Sequence, residues 1–236
     1  MQTTLTIIRY KTWAIPLAFI AMIIFRIPLY LNKNIVFFKL MGSGKNGTFD
    51  KIPDLHQWAI LATHKSSEIN SIFNLDKPYG VFIMKWLHFF STEFYTLLLE
   101  PISGHGTWDN KAVFANSTSK IITEGQIATL TRATIRFSKL GHFWKNVAPI
   151  AAKMNTAKGL IFSVGIGEVP WIKQATFSIW ASVEDLKNFA YNMKEHSEVV
   201  KKTKEQKWYS EDMFYRFNII DSFGSLHGNN PLKRKR

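Results

Sequence analysis

The chain contains no cysteine among its 236 residues. That absence excludes disulfides, a thiolate-ligated haem, a cysteine-held iron–sulfur cluster and covalent c-type haem attachment. Any metal or haem must be held by histidine, carboxylate or tyrosine. Acidic residues are scarce as well, 17 against 30 Lys plus Arg, giving a formal charge of +13. Such a balance points to an anionic surface or an acidic partner. Nucleic acid is disfavoured as that partner. The basic residues are dispersed apart from Lys201-Lys202-Thr203-Lys204 and Lys233-Arg234-Lys235-Arg236, and no RNP-type aromatic motif or zinc-finger spacing occurs. Also missing are a Walker loop, a Gly-x-Ser-x-Gly elbow and a His-Glu-x-x-His pair. The pairs Gly42/Gly44 and Gly165/Gly167 lack the third glycine and following helix of a dinucleotide loop, so a Rossmann reading fails.

What is abundant is aromatic side chain: 14% of residues, with 19 Phe and 8 Trp. At 46% apolar the chain can bury a core as one large domain or two intimate ones. The aromatic excess suits ordinary core packing and also a pocket for a large flat or extended apolar ligand. A long apolar run, Ala14 to Phe25, is flanked by Arg9, Lys11 and Arg26. It is shorter than the ~20 residues a spanning helix needs, and it lacks the cleavage site of a signal peptide. It reads as a buried or membrane-grazing helix, with a single membrane anchor as the lesser alternative.

The chain also repeats itself. Leu40-Met41-Gly42-Ser43-Gly44, Gln57-Trp58-Ala59-Ile60 and Ser67-Glu68-Ile69 are answered by Val164-Gly165-Ile166-Gly167, Gln174-Ala175-Thr176-Phe177 and Glu184-Asp185-Leu186. Each copy closes on an aromatic strand, Phe94-Tyr95 to Gly104 and Phe214-Tyr215 to Gly224, with the same offset of ten residues. Two copies of so long a unit are not a solenoid. Each reads as strand–helix–strand–strand–helix–strand, the ferredoxin-like order, and two such units predict a fused, pseudo-dimeric α+β barrel. The division is a first repeat at 1–110, a linker at 111–128, a second repeat at 129–224 and a mobile basic tail at 225–236.

In the first repeat the pattern predicts strands at Thr4–Tyr10, Ile35–Met41, Gln57–Thr63 and Glu93–Pro101, with helices at Ala14–Tyr30 and Ser66–Phe73. In the second it predicts strands at Thr131–Phe137, Leu160–Gly167, Ala175–Trp180 and Met213–Asp221. The helices there are Phe143–Met154, kinked or shortened by Pro149, then Val183–Tyr191 and a segment from about His196 to Gln206. Alternation puts Leu160, Phe162, Val164 and Ile166 on one face. The other carries Ile161, Ser163, Gly165 and Gly167, small enough to let something flat approach the sheet.

Of the seven histidines, His56 and His64 read as capping or surface residues and His88 as a packed core residue. His105 and His227 belong to exposed loops, and His142 caps a helix. His196 shares a helix face with Val199, Val200 and Thr203 and should point inward. A lone inward histidine is more often structural than a ligand, and both readings stand. Glu168 is the carboxylate best placed to face a site, with a surface salt bridge as the alternative. Arg132 and Arg136 share a strand face, poised for an acidic group or for water.

Taken in order, Arg132-Ala133-Thr134-Ile135-Arg136, Phe143-Trp144, Val164-Gly165-Ile166-Gly167-Glu168, Gln174 to Trp180, Phe189-Ala190-Tyr191, His196 and Trp208-Tyr209-Ser210-Glu211 with Arg216-Phe217 resemble the spheroidene monooxygenase family. Leu40 to Gly44, Glu100-Pro101-Ile102-Ser103 and Gly106-Thr107-Trp108 resemble its first half. The resemblance implies a fold related to the dimeric α+β barrels, which include other haem enzymes such as aldoxime dehydratases. It implies a haem b (iron) oxygenase that inserts oxygen near the terminal C2 of an acyclic carotenoid, using O2 and electrons from ferredoxin, an acidic donor. The catalytic candidates are then Arg132, Trp144 and Glu168. The haem-binding candidates are Arg136, Gly165, Gly167, Trp180 and His196, the last as axial iron ligand. A relative of the same scaffold acting on a smaller nitrogenous molecule, by dehydration or N-oxidation, is the competing expectation, and a non-catalytic haem-binding or membrane-surface protein comes third. A carotenoid substrate also implies a cytoplasmic protein that touches the inner membrane.

Overall fold

The computed structural model describes residues 1–45, 51–65, 79–114, 125–154, 156–192, 199, 202–203 and 205–232. They form two compact units, one of residues 1–43, 54–101 and 219–236, the other of 44–53 and 102–218.

The first unit is built on β1 (Gln2–Tyr10), β2 (Ile35–Gly44), β3 (Pro53–His64) and β4 (Ser91–Gly106), ordered β4-β1-β3-β2. β1 runs antiparallel to both of its neighbours, pairing Leu5 with Leu61 and with Leu97. One face of this sheet is covered by α1 (Ile15–Ile24), α2 (Arg26–Leu31) and α3 (Val81–Phe90). Ala14, Ala18, Ala21, Phe25 and Leu29 recur at helical spacing and pack with Ile83, Met84 and Leu87 of α3. The predicted single helix Ala14–Tyr30 is broken at Phe25. Pro28 has no N–H to give the Ile24 carbonyl, so the ladder loses a rung there. Arg26 Nε instead donates back to the Met22 carbonyl (3.2 Å), capping the end of α1. α3 was not expected from the pattern, and it turns His88 outward against the Phe94 ring rather than into the core. The predicted helix Ser66–Phe73 lies outside the described residues.

The second unit repeats the plan with β5 (Ile127–Ile135), β6 (Leu160–Val169), β7 (Lys173–Trp180) and β8 (Tyr209–Gly224), ordered β8-β5-β7-β6. The order matches that of the first unit strand for strand, so the internal repeat is a structural one and the class is α+β. Its helices are α4 (Leu140–Met154) and α5 (Val183–Lys187), the latter continued by a π-helical turn at Asn188–Asn192. Ser182 caps α5 by accepting the Asp185 N–H (3.0 Å). α4 runs unbroken through Pro149, which therefore does not shorten it. β5 begins four residues before Thr131, and a bulge between Thr134 and Ile135 ends its regular pairing with β8.

Each unit carries the same latch. In the first, a turn closed by Leu226 and Asn229 drops onto Glu93. That carboxylate accepts the N–H groups of His227 (2.7 Å) and Gly228 (3.0 Å) and the Ser225 hydroxyl (3.1 Å). Arg9 lies 3.8 Å away. Where a mobile tail was expected from Ser225, residues 225–232 are thus tied down. In the second, the turn closed by Trp108 and Lys111 drops onto Glu211, with Arg132 beside it.

His64 is neither exposed nor a cap. It is 2% exposed, with Nε2 3.1 Å from Thr4 Oγ1, and burial holds its imidazole down at about 4 against an ordinary 6.5. The unfolded chain therefore binds a proton that the folded chain refuses. Stability is full above about 6.5 and lost as pH falls toward about 4. The loss is up to ~3 kcal/mol. Urea unfolding followed across that window should show the decline, and His64→Gln should flatten it.

Candidate functional site

β5, β7 and β8 of the second unit present two faces of different chemistry. Ala128, Leu130 and Arg132 of β5 lie opposite Ile179, Phe177 and Ala175 of β7 and Phe217, Tyr215 and Met213 of β8. This first face is buried throughout and apolar except at its Arg132 end. Phe114 packs on Tyr215 (5.0 Å) and Phe217 (5.2 Å), sealing it.

At that end Arg132, 1% exposed, meets three carboxylates. One guanidinium nitrogen pairs with Glu211, and the other lies 3.9 Å from both Asp109 and Glu168. The Trp108 ring lies 5.6 Å from the guanidinium, and its Nε1–H donates to Glu168 (2.7 Å). Glu211 also accepts the Thr107 hydroxyl (2.8 Å) and the Asn110 N–H (2.7 Å). Burial alone would raise the Glu211 carboxyl, but these two hydrogen bonds and the bond and charge of Arg132 hold it below the usual carboxylate range. Among the described residues no group of His, Asp and Glu could hold a metal ion. The guanidinium occupies the centre that a cation would take. The cluster fixes the turn at Thr107–Lys111, which spans the predicted boundary between the first repeat and the linker.

The opposite face is lined by Thr129, Thr131 and Ala133 of β5, then Ser178 and Thr176 of β7, paired in turn with Ser163 and Gly165 of β6. Two apolar clusters bound it. Ile127, Met154, Trp180 and Leu186 close one end, with Leu160 and Phe189 against them. Ile135, Phe143, Trp144, Val147 and Trp208 close the other. Leu160 belongs to this face rather than to that of Phe162, because a bulge between them resets the alternation. Between the clusters, Thr129 and Ser178 bond to one another (2.8 Å) and Trp180 Nε1–H donates to Ser178 (2.9 Å). Among the described residues, Ser163 Oγ, Thr176 Oγ1 and Arg216 Nε are buried with no hydrogen-bond partner. Buried polar atoms are nearly always paired, so these three could serve a ligand, although Arg132 Nε and Nη2 and Thr134 Oγ1 on the other face are likewise without a hydrogen bond among the described residues. On the helix-facing side of the first unit's sheet, Thr6 bonds to Tyr79 (2.8 Å) and to Thr96 (2.9 Å).

The candidates chosen from sequence thus divide between the faces. Arg132 and Glu168 share the carboxylate cluster. Trp144, Gly165 and Trp180 share the face with Ser163, Thr176 and Arg216. Trp144 is held by its Nε1–H on the Trp171 carbonyl (3.3 Å), and Trp180 by a 5.0 Å ring contact with Phe189. Gly167 leaves no room for a side chain beside the Lys173 carbonyl (2.7 Å to a Cβ) and serves strand pairing. Arg136 does not share a face with Arg132: the bulge puts it past the strand end, exposed, donating to the Tyr209 carbonyl (3.2 Å). His196 lies outside the described residues. Arg216 was not singled out, although its alternation with Phe214 and Asn218 places it on this face.

Element order and strand pairing together define an α+β scaffold built from two repeated units. The chain matches the crystal structures of an aldoxime dehydratase and of an aldoxime dehydratase in complex with butyraldoxime, with TM-scores of 0.59 and 0.60. The matches cover 93% and 94% of this chain and 81% of each of those chains, at 9% identity, a likeness of fold alone. No protein-family model matches the chain. It is 30% identical over 234 residues to the spheroidene monooxygenase of Rhodobacter capsulatus, covering 98% of this chain and 95% of that protein. It is 33% identical over 197 residues to that of Cereibacter sphaeroides, covering 83% of this chain and 59% of that longer protein. The chain belongs to the spheroidene monooxygenase family.

Proposed function

We propose that this protein is an oxygenase acting near the terminal C2 of an acyclic or monocyclic carotenoid, with haem b held on the helix-facing side of the second unit's sheet. The near full-length similarity to a spheroidene monooxygenase carries the reading. The residues present fit the cofactor. Gly165, Ser163 and Thr176 leave a flat, small-residue floor, and the two aromatic-rich clusters give apolar walls. Arg216 Nε offers an unused donor for an acidic substituent. His196, with no cysteine in competition, is the proposed axial ligand.

Bound haem would supply the iron centre at which dioxygen is activated. The chain's own share is positional. Trp144 and Trp180 are held by their indole N–H groups and wall the two ends of the floor. Ser163 and Thr176 lend hydroxyls to whatever lies on it, and the Arg132 cluster holds the Thr107–Lys111 turn in place. The basic balance suits an acidic electron donor such as a ferredoxin.

Co-expression with an acyclic carotenoid pathway should give products heavier by one or more oxygen atoms, with a colour shift. Purified protein should show a Soret band that His196→Ala removes and Arg216→Gln weakens. Unchanged carotenoids alongside dehydration of an added aldoxime would instead favour the scaffold's smaller-substrate chemistry. An intact spectrum in His196→Ala would overturn the ligand assignment.

A further inference from the structure

The helical layer of the first unit is inverted relative to that of a soluble protein. Along α1 and α2 the residues turned to the protein include Ala14, Ala18 and Ala21, while Phe19, Ile20, Ile23, Ile27, Tyr30 and Leu31 face outward. Ile23 is 71% exposed and Ile27 65%. α3 adds Val81, Phe82 and Phe89 to the same layer, and the helices are joined through Phe25 against Phe82 (6.2 Å) and Trp86 (5.7 Å). Trp13 stands at the start of this layer, over Phe89 and Phe90. A soluble helix buries its large apolar side chains and exposes polar ones. Contiguous apolar surface of this kind marks a binding face.

Charge says what covers it. No Asp or Glu precedes Asp50, whereas Arg9, Lys11, Arg26, Lys33, Lys39 and Lys45 do, and α3 carries Lys85 and no acid. Arg26, Lys33 and Lys85 are exposed, and Lys11 lies 5.8 Å above the Phe89 ring. Apolar side chains bordered by basic ones, with Trp13 and Tyr30 at the two ends, are the chemistry of a helix lying in the headgroup region. The segment Thr12–Leu31 is long and apolar enough to cross a membrane, with 28% of it buried. Crossing would strip Ala14, Ala18, Ala21, Phe25 and Leu29 from the sheet they pack on and drag Arg26 through hydrocarbon. We infer that α1, α2 and α3 embed edgewise in an anionic phospholipid bilayer, holding the first unit on the membrane surface without spanning it. The inference goes beyond the proposed activity and does not rest on it.

Vesicle flotation with the purified full chain tests it. The protein should float with vesicles of phosphatidylcholine and phosphatidylglycerol and bind at least ten-fold less to phosphatidylcholine alone. Ile23→Ser/Ile27→Ser, at positions too exposed to matter for folding, should abolish flotation with circular dichroism unchanged. Arg26→Gln and Lys33→Gln should each weaken it about five-fold. Sodium carbonate should release the protein. Failure to float with the anionic vesicles, or flotation indifferent to the isoleucine change, overturns the proposal. So does carbonate resistance, which would mean a span, or a lipid-free dimer that the isoleucine change dissolves, which would mean a second copy on this face. No turnover is read, so failure here leaves the carotenoid reading standing.

Discussion

Arg132→Met should lower the unfolding free energy by ~3–5 kcal/mol, the range for removing one partner of a buried ion cluster. The guanidinium is 1% exposed and pairs with Glu211, and its second nitrogen lies 3.9 Å from Asp109 and Glu168. Methionine fills much of the volume and leaves Glu211 without its cation, while Asp109 keeps Lys173 (3.0 Å) and Glu168 keeps the Trp108 N–H (2.7 Å). Two further measurements separate charge from packing. Arg132→Met/Glu211→Gln should cost less than the sum of the single changes, because the stranded charge is gone. The gap between wild type and Arg132→Met should also narrow in acid. The Glu211 carboxyl is held below the usual range, so its contribution is present above the ordinary carboxylate pKa and lost as pH falls through its folded value. A penalty that is additive and indifferent to pH would mean that Arg132 acts by packing alone.

Gly104→Val should cost at least ~3 kcal/mol, at the upper end of overpacking. A Cβ at Gly104 would meet the Phe214 carbonyl oxygen and the Tyr215 backbone and ring. Backbone cannot swing aside as a side chain can. Gly141→Ala is the matched control: nothing lies within 4 Å of the added carbon, and alanine favours a helix over glycine by up to ~1 kcal/mol. Thermal unfolding should therefore fall sharply for the first and hold or rise for the second. Equal effects would remove close strand approach as the reason for glycine at 104.

How far the sequence was legible depended on whether a feature was periodic or contingent. The strands were readable because alternation over eight or nine residues is hard to counterfeit, and the repeat was readable because Gly104 and Gly224 meet equivalent aromatic strands in each unit. α3 was not, because a run in which nearly every residue is apolar has no period to detect. The pairing of Arg132 with Arg136 failed at a bulge between Thr134 and Ile135, which composition does not announce. His64 looked like a strand-end histidine, yet its neighbour across the sheet is a buried threonine. Within the site, Arg132 and Glu168 could be picked out as unusual charges in apolar strands. Trp108, which touches both, and Glu211, which pairs with Arg132, come from a turn and a strand more than 20 residues away along the chain. The orphaned Ser163, Thr176 and Arg216 atoms carry no sequence signal at all, since only a structure shows which hydroxyls go unpaired.

The twin latches take their arginine from different strand positions, Arg9 directly opposite Glu93 and Arg132 two residues before Thr134, which faces Glu211, and they bury it to different degrees. Arg9 keeps a quarter of its side chain exposed (26%), whereas Arg132 keeps 1%. In an assembly of two identical chains every substitution is made twice, so both arginines would have to be buried or neither. Covalent tandem duplication removes that constraint. One half can retain a wet, forgiving version of the latch while the other seals its copy among three carboxylates and a tryptophan. Asymmetry of this kind is open to a duplicated chain and closed to a symmetric pair.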